Sequence, residues 1–284
     1  MRPGEPSRTA QWVAVLRGIA HHERPAIADD PLAVELLTGG SRALVRLAGA
    51  VPPLTRAFLA ALDALSGGRS RFMSVRTRVL DDVVREARAA GFEQVVLLGA
   101  GLDARAWRLG ELAGATVWEV DHPDTQGFKR ARLGERAPLA GAVHFVGVDF
   151  EKDALDARLA ASGLRADVPT LLLWEGVVMY LPPEVIDATL RTLHPLLAPG
   201  SRLAISYSRT GHGSTAWTRR ALGVVVGAAG ETFRHHEEPA EMAARLDRSG
   251  YRVRWDRGHP DWAPALLGRH TRWDIQRIVV AERT

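Results

Sequence analysis

The stretch Gln94-Val95-Val96-Leu97-Leu98-Gly99-Ala100-Gly101-Leu102-Asp103 limits what this chain can fold into more than any other. An apolar run ending in Gly-Ala-Gly reads as a buried central strand that enters a tight turn and then a helix. Glycines at the carboxyl end of such a strand let the backbone come close to a ligand. Roughly twenty residues further on, Thr116-Val117-Trp118-Glu119-Val120-Asp121 reads as a second strand ending in an acid, where a ribose-binding carboxylate sits in a nucleotide-binding sheet.

The rest of the chain supports an α/β reading. Helical spacing covers Thr9 to Ala20 through Trp12, Val13, Leu16 and Ile19. Asp30-Pro31 should start a second helix, with Asp as cap and Pro at the first helical position. Pro52 to Ala64 and Ser70 to Ala90 give two more. These helices precede the first strand with no linker between, so residues 1–92 read as a helical cap and 93–284 as the core of one domain. After Asp121, helices are expected over Pro123–Arg136, Asp153–Ser162, Pro182–Leu197, Thr215–Gly227 and Pro239–Ser249. Strands are expected over Val143–Asp149, Thr170–Gly176, Arg202–Ser208, Tyr251–Asp256 and Ile275–Glu282. Alternation of this kind means a mainly parallel sheet with helices on both faces. The connection from Trp255 to Ile275 is long enough to be a functional loop.

Composition matters chiefly for what it excludes. The 284 residues contain no Cys, which removes disulfides, zinc–thiolate sites and cysteine nucleophiles. The net charge is only +4 and Arg is scattered, so no nucleic-acid surface is read. No apolar run reaches a membrane span, the start Met1-Arg2-Pro3-Gly4 lacks a signal core, and a cytoplasmic location is expected. His235 and His236 read as surface or packing residues, and no metal site is expected.

The ligand follows by elimination. A dinucleotide fingerprint wants a third glycine where this chain has Ala104, and the phosphate loop with its Gly-Lys pair is absent. Asp121, Asp149 and Glu175 instead close three consecutive strands. That row of acids suits a ligand without phosphate and with a positive centre, such as S-adenosylmethionine. Asp121 would take the ribose hydroxyls, Asp149 the adenine amino group, and Glu175 the methionine ammonium or sulfonium. Against this, Asp121 and Asp149 could be plain helix caps, and Arg76 a solvated helix arginine.

Val95 to Leu109, read as V-V-L-L-G-A-G-L-D-A-R-A-W-R-L, closely resembles the leucine carboxyl methyltransferase family. So do Trp118-Glu119-Val120-Asp121-His122-Pro123, Glu175-Gly176-Val177-Val178-Met179-Tyr180-Leu181, and Ser74-Val75-Arg76-Thr77-Arg78 with Asp81-Asp82. The actinobacterial branch, with its polyketide carboxyl O-methyltransferases, is the nearest likeness, over about Thr9 to Ser208. The resemblance implies a Rossmann-like class I methyltransferase fold of seven strands, the last antiparallel, using S-adenosyl-L-methionine. It implies that Arg76 binds the methionine carboxylate, and that Gly99 and Gly101 line the methionine part. It gives the ribose to Asp121, the adenine to Asp149 and Phe150, and the amino-acid end to Glu175. Arg17 is the nearest match to a basic residue of the first helix. Ala104 stands where the family often has Thr, so no hydroxyl acts there.

Methyl transfer from a sulfonium is a displacement that alignment can largely drive. A carboxylate acceptor is already ionised near neutrality, whereas a phenol needs a general base. The expected reaction is esterification of a small, polyketide-like acid. Its rivals are a phenol or other hydroxyl with His212 as base, a protein C-terminal carboxylate, and a non-catalytic adenosine-ligand sensor. Tyr180, Tyr207 and His212, with Met179, should surround the acceptor, and Arg71 and Arg78 offer partners for an anion. The partner is a small molecule, with self-association left open.

Overall fold

In the computed structural model, residues 8–23, 25–66, 69–150, 153–209 and 234–284 are described. Four helices come first: α1 (Arg8–His21), α2 (Gly39–Ala50), α3 (Pro52–Ser66) and α4 (Arg69–Ala89). Then strands and helices alternate: β1 (Gln94–Leu98), α5 (Arg105–Arg108), β2 (Thr116–Asp121), α6 (Pro123–Leu133), β3 (Ala142–Gly147), α7 (Leu155–Ala161) and β4 (Thr170–Trp174). The described chain continues with α8 (Pro183–Leu193), β5 (Arg202–Ser208), α9 (Pro239–Arg248), β6 (Tyr251–Gly258), α10 (His259–Leu267) and β7 (Gln276–Arg283).

The seven strands form one sheet in the order β3-β2-β1-β4-β5-β7-β6. Strands β1 to β5 pair in parallel, and β7 runs antiparallel between β5 and β6. This is the Rossmann-like architecture expected, with its final antiparallel strand. β1 and β4 are buried along their whole length because both faces are covered. Alternate residues of β1 serve opposite cores. Val95 and Leu97 join Val75, Val79, Leu80 and Val83 of α4 and Ala14, Val15 and Ile19 of α1. Val96 and Leu98 join Leu155 and Leu159 of α7, Ile186 and Leu190 of α8, and Met242 and Leu246 of α9.

Three expectations need correction. Asp30-Pro31 opens turns over residues 31–36, not a helix: the Asp30 carboxylate caps Ala33 N at 3.1 Å, and the chain becomes helical only at Gly39. The stretch from Trp255 to Ile275 is not one loop; β6 runs on to Gly258, and α10 carries Pro264 inside it. β3 ends at Gly147, so Asp149 lies beyond the strand. The helix expected over Thr215–Gly227 lies outside the described residues.

The parallel strands all present their carboxyl ends to one edge. β6 runs in the same sense as β5, so Gly258 and the start of α10 reach that edge too. Its other side is faced by the amino-terminal half of α4, where Phe72 meets the rings of His259 and Trp273 at 5.6 and 5.5 Å.

Candidate active site

The turn after β1 is built from two glycines in left-handed conformations, Gly99 (φ +71) and Gly101 (φ +50). A Cβ at Gly99 would fall 2.4 Å from Val177 Cγ2, so the turn lies against the loop after β4. The N–H groups of Gly99 and Ala100 both donate to Val120 O, at 2.8 and 3.0 Å. Asp121 then closes the turn from the neighbouring strand: its Oδ2 accepts from Gly101 N at 2.5 Å and its Oδ1 from His122 N at 2.6 Å. Burial raises the Asp121 carboxyl above its ordinary value, opposed by those two backbone bonds. Each oxygen keeps further lone-pair directions for another donor.

The helix-cap reading of the acids does not hold. His122, not Asp121, is the cap of α6 and accepts from Asp124 N at 3.3 Å. The cap of α7 is Ala154. Asp149 lies in a turn in which its N–H donates to Asp153 Oδ2 at 2.9 Å and its O accepts from Asp153 N at 2.8 Å. Phe150, next in that turn, is half-buried against the core under α7 and α8.

Arg76 and Glu175, 99 residues apart in sequence, meet at the edge, with Nε donating to Oε1 at 2.8 Å. Gly176 (φ +71) leaves room for that guanidinium, since its Cβ would touch Nη1 and Nη2 at 3.4 Å. Those two nitrogens make no hydrogen bond among the described residues, so a two-pronged donor remains open. A fork of that shape is what a carboxylate takes bidentately.

Behind this pair lies a network that sequence reasoning missed. Arg105 is fully buried and bonds Glu175 Oε2 at 2.7 Å, Asp81 Oδ1 at 2.8 Å and the Asp103 carboxylate. Arg108 grips Asp81 with both terminal nitrogens, at 2.7 and 2.8 Å. Arg17 lies 3.2 Å from Asp30 and donates to Leu102 O at 2.6 Å, tying α1 to the turn after β1. Arg17, Arg76, Arg105 and Arg108 thus face Asp30, Asp81, Asp103 and Glu175, and the charges balance. Burial alone would raise the Glu175 carboxyl; Arg105, then Arg76 and Arg17, overcome it and hold Glu175 well below the usual carboxylate range. The available signal was charge inside an otherwise apolar stretch, Leu102-Asp103-Ala104-Arg105-Ala106-Trp107-Arg108.

The residues expected beside the acceptor are placed less uniformly. Tyr180 is half-buried in a short 3-10 turn (Val178–Tyr180) close behind Glu175, and Met179 beside it is buried. Tyr207 is buried near the end of β5, and its hydroxyl donates to Asp256 Oδ2 at 2.5 Å. Burial and that carboxylate raise the phenol above its ordinary value, so it stays protonated. Arg277 holds the other Asp256 oxygen at 2.8 Å. Arg71 pairs with Glu23 at 2.9 Å, and Arg78 with Asp82 one turn along α4, so both expected anion partners already face acids. His212 lies outside the described residues.

A model of the leucine carboxyl methyltransferase family matches residues 10–194, which include Arg76, Gly99, Gly101, Asp121, Asp149 and Glu175. The chain belongs to this family. A relative from Mycolicibacterium smegmatis is 38% identical over 231 residues, 80% of this chain and 72% of its own length. One from Streptomyces coelicolor is 40% identical over 199 residues, 69% of this chain and 64% of its own length. Both carry names that assign them provisionally to the S-adenosyl-L-methionine-dependent methyltransferases. Among solved structures, a Streptomyces avermitilis protein (TM-score 0.60, 18% identity, 82% of this chain and 91% of that one) shares the fold. A Thermobifida fusca protein named provisionally a methyltransferase does so too (TM-score 0.56, 19% identity, 81% and 88%).

This leucine carboxyl methyltransferase family member is therefore an S-adenosyl-L-methionine-dependent methyltransferase. The edge fits that donor: a tight turn of two left-handed glycines without side chains, a guanidinium fork at Arg76, and a carboxylate at the end of β2. No single helix among the described residues is long and apolar enough to cross a membrane.

Proposed function

We propose that this methyltransferase esterifies a carboxyl group of a small acid, with polyketide-derived acids as the substrate class. The observation that carries the reading is the match of residues 10–194 to a family described by carboxyl methylation. The donor supplies an electrophilic methyl group on a sulfonium. Arg76 grips its carboxylate through Nη1 and Nη2, and Glu175 takes its ammonium while held in place by Arg76 and Arg105. Gly99 and Gly101 let the methionine part lie against the backbone, and Asp121 accepts from the ribose hydroxyls. Asp149 and Phe150 close over the adenine.

The acceptor enters beside Tyr180 and Tyr207. A carboxylate needs no proton removed, because it is ionised well below neutral pH. Two of the described titratable groups fit that demand. Tyr207 is bound to Asp256 and stays protonated, so it orients a wall and takes no proton. His259 is lowered by burial to about 4, too weak for efficient base catalysis near neutrality.

The test is a panel of carboxylic acids and phenols incubated with methyl-labelled donor. Labelled product released by mild alkali is an ester and supports the reading. An alkali-stable methyl ether, formed with a rate that follows a histidine titration, would overturn it in favour of a hydroxyl acceptor. In that case His212→Ala should lose about 10²-fold or more of turnover.

A further inference from the structure

One charged pair near the donor edge is not used by the site described above. Lys129 of α6 and Glu119 of β2 meet at 2.6 Å with side chains 1% and 0% exposed. Lys129 is one of only two lysines in a chain that otherwise uses arginine. Its ammonium lies 5.2 Å from the centroid of the Trp107 ring, so an aromatic face replaces water on one side. Glu119 Oε1 is buried with no hydrogen bond. Gln126 ties the strands beneath by donating to Glu119 O at 2.8 Å and Val146 O at 3.0 Å.

A buried pair of this kind is a poor way to gain stability, because desolvation cancels most of the attraction. Its place in the sheet suggests another use. Glu119 and Asp121 share one face of β2, two residues apart. The register neighbours of Glu119 on β1 and β3, Leu97 and Phe145, carry no charge. The charged and titratable groups facing it are Asp121 on its own strand, Asp103 from the turn after β1, and Lys129 from α6, with His122 next to Asp121. Asp103 is taken by Arg105, while among the described residues Asp121 is held by two backbone N–H groups.

We propose that Lys129 is a positioning residue of the donor site: its ammonium balances Glu119 and so leaves Asp121 to act as acceptor for the ribose hydroxyls. This rests on the ribose role given to Asp121. Burial pushes the Glu119 carboxyl up to about 7 even against the pull of Lys129. Burial also raises Asp121, and Lys129 is among the groups that lower it again. Without Lys129, Asp121 rises further and gives up its anionic form at a higher pH. Removing the negative charge of Glu119 acts in the opposite sense only where that carboxyl is ionised, above about 7.

The experiment is calorimetric binding of S-adenosylhomocysteine, the demethylated donor, to the full chain across about pH 5 to 9. Lys129→Met should move the acid loss of binding upward by about one pH unit, which is about tenfold in affinity on the acid side. Glu119, pushed up to about 7, is already mostly neutral in the acid range, so Glu119→Gln should leave the acid step in place and the pair Lys129→Met/Glu119→Gln should follow Lys129→Met. If Lys129→Met lowers the melting temperature while its binding curve overlays wild type, the pair is structural and the proposal is overturned. Should Lys129→Met fail to fold, Lys129→Gln decides alone, and an unmoved curve overturns the proposal. Asp121→Asn separates this idea from the reading beneath it. Wild-type binding by Asp121→Asn removes the ribose role and the Lys129 role together. Loss of the acid-dependent step in Asp121→Asn, with an unmoved Lys129→Met curve, removes the Lys129 role alone.

Discussion

Replacing Arg105 by Met keeps length and apolar bulk but removes a guanidinium that is 0% exposed. Its three acidic partners do not suffer equally. Asp81 retains both terminal nitrogens of Arg108, and Glu175 retains Arg76. Asp103 retains only backbone donation from residue 105. The variant therefore strands one buried carboxylate, which costs about 3–5 kcal/mol. For a chain of this size that lowers the melting temperature by roughly 5–10 °C. The sign with pH follows from the carboxyls. In the wild type burial would raise the Asp103 carboxyl, but Arg105, helped by Arg17 and Lys129, holds it below its ordinary value, so it stabilises the fold above the unfolded carboxylate pKa. That stability is lost as pH falls through the folded value. In Arg105→Met burial is opposed only by the weaker pull of Arg17 and Lys129 and by backbone donation, and Asp103 rises. It then destabilises the fold at neutral pH, and does so less as acid protonates it. Thermal melts followed by circular dichroism at about pH 7 and pH 5 should show the gap between variant and wild type narrowing in acid. A gap under about 2 °C at neutral pH, or one equal at both values, would refute the reasoning that Arg105 compensates a buried charge.

Two further outcomes follow from the donor turn. Arg76→Lys keeps a positive charge beside Glu175 but loses the open fork, so S-adenosylhomocysteine should bind about tenfold or more weakly by calorimetry, with little change in melting temperature. Gly99→Ala must hold φ +71 with a Cβ 2.4 Å from Val177 Cγ2. It should cost at least about 1–2 kcal/mol of stability by denaturant titration, and a second change, Val177→Ala, should recover the clash but not the backbone strain.

The sheet was legible because its strands obey local rules. Gln94–Leu98 and Thr170–Trp174 are apolar on both faces, and Pro123, Pro183 and Pro239 each mark a helix start. The Asp30-Pro31 signal misled because capping chemistry also closes a single turn, and there the chain bends before Gly39-Gly40. Arg76, Glu175, Asp121 and the glycines were legible as a set, and the structure does bring them to one edge. What sequence alone hid was pairing at long range. Arg105 joins residues 81, 103 and 175, and no periodicity reports that a guanidinium will serve three acids from different elements. Lys129 stands out in the sequence only as one of two lysines, and Glu119 as the interior of a strand, and nothing local links them.

The seclusion of Lys129 also gives the molecule a built-in chemical reporter. An amine-reactive reagent finds few targets in a chain with only two lysines, and one of them is 1% exposed. Acylation at Lys129 requires α6 to lift from the sheet, so its rate, read by mass spectrometry of the peptide around Phe128, measures local opening of the nucleotide half. A ligand that binds only the closed form suppresses that opening in proportion to its occupancy. Donor engagement could thus be followed in a crude mixture by the labelling of a single side chain, without an acceptor and without turnover.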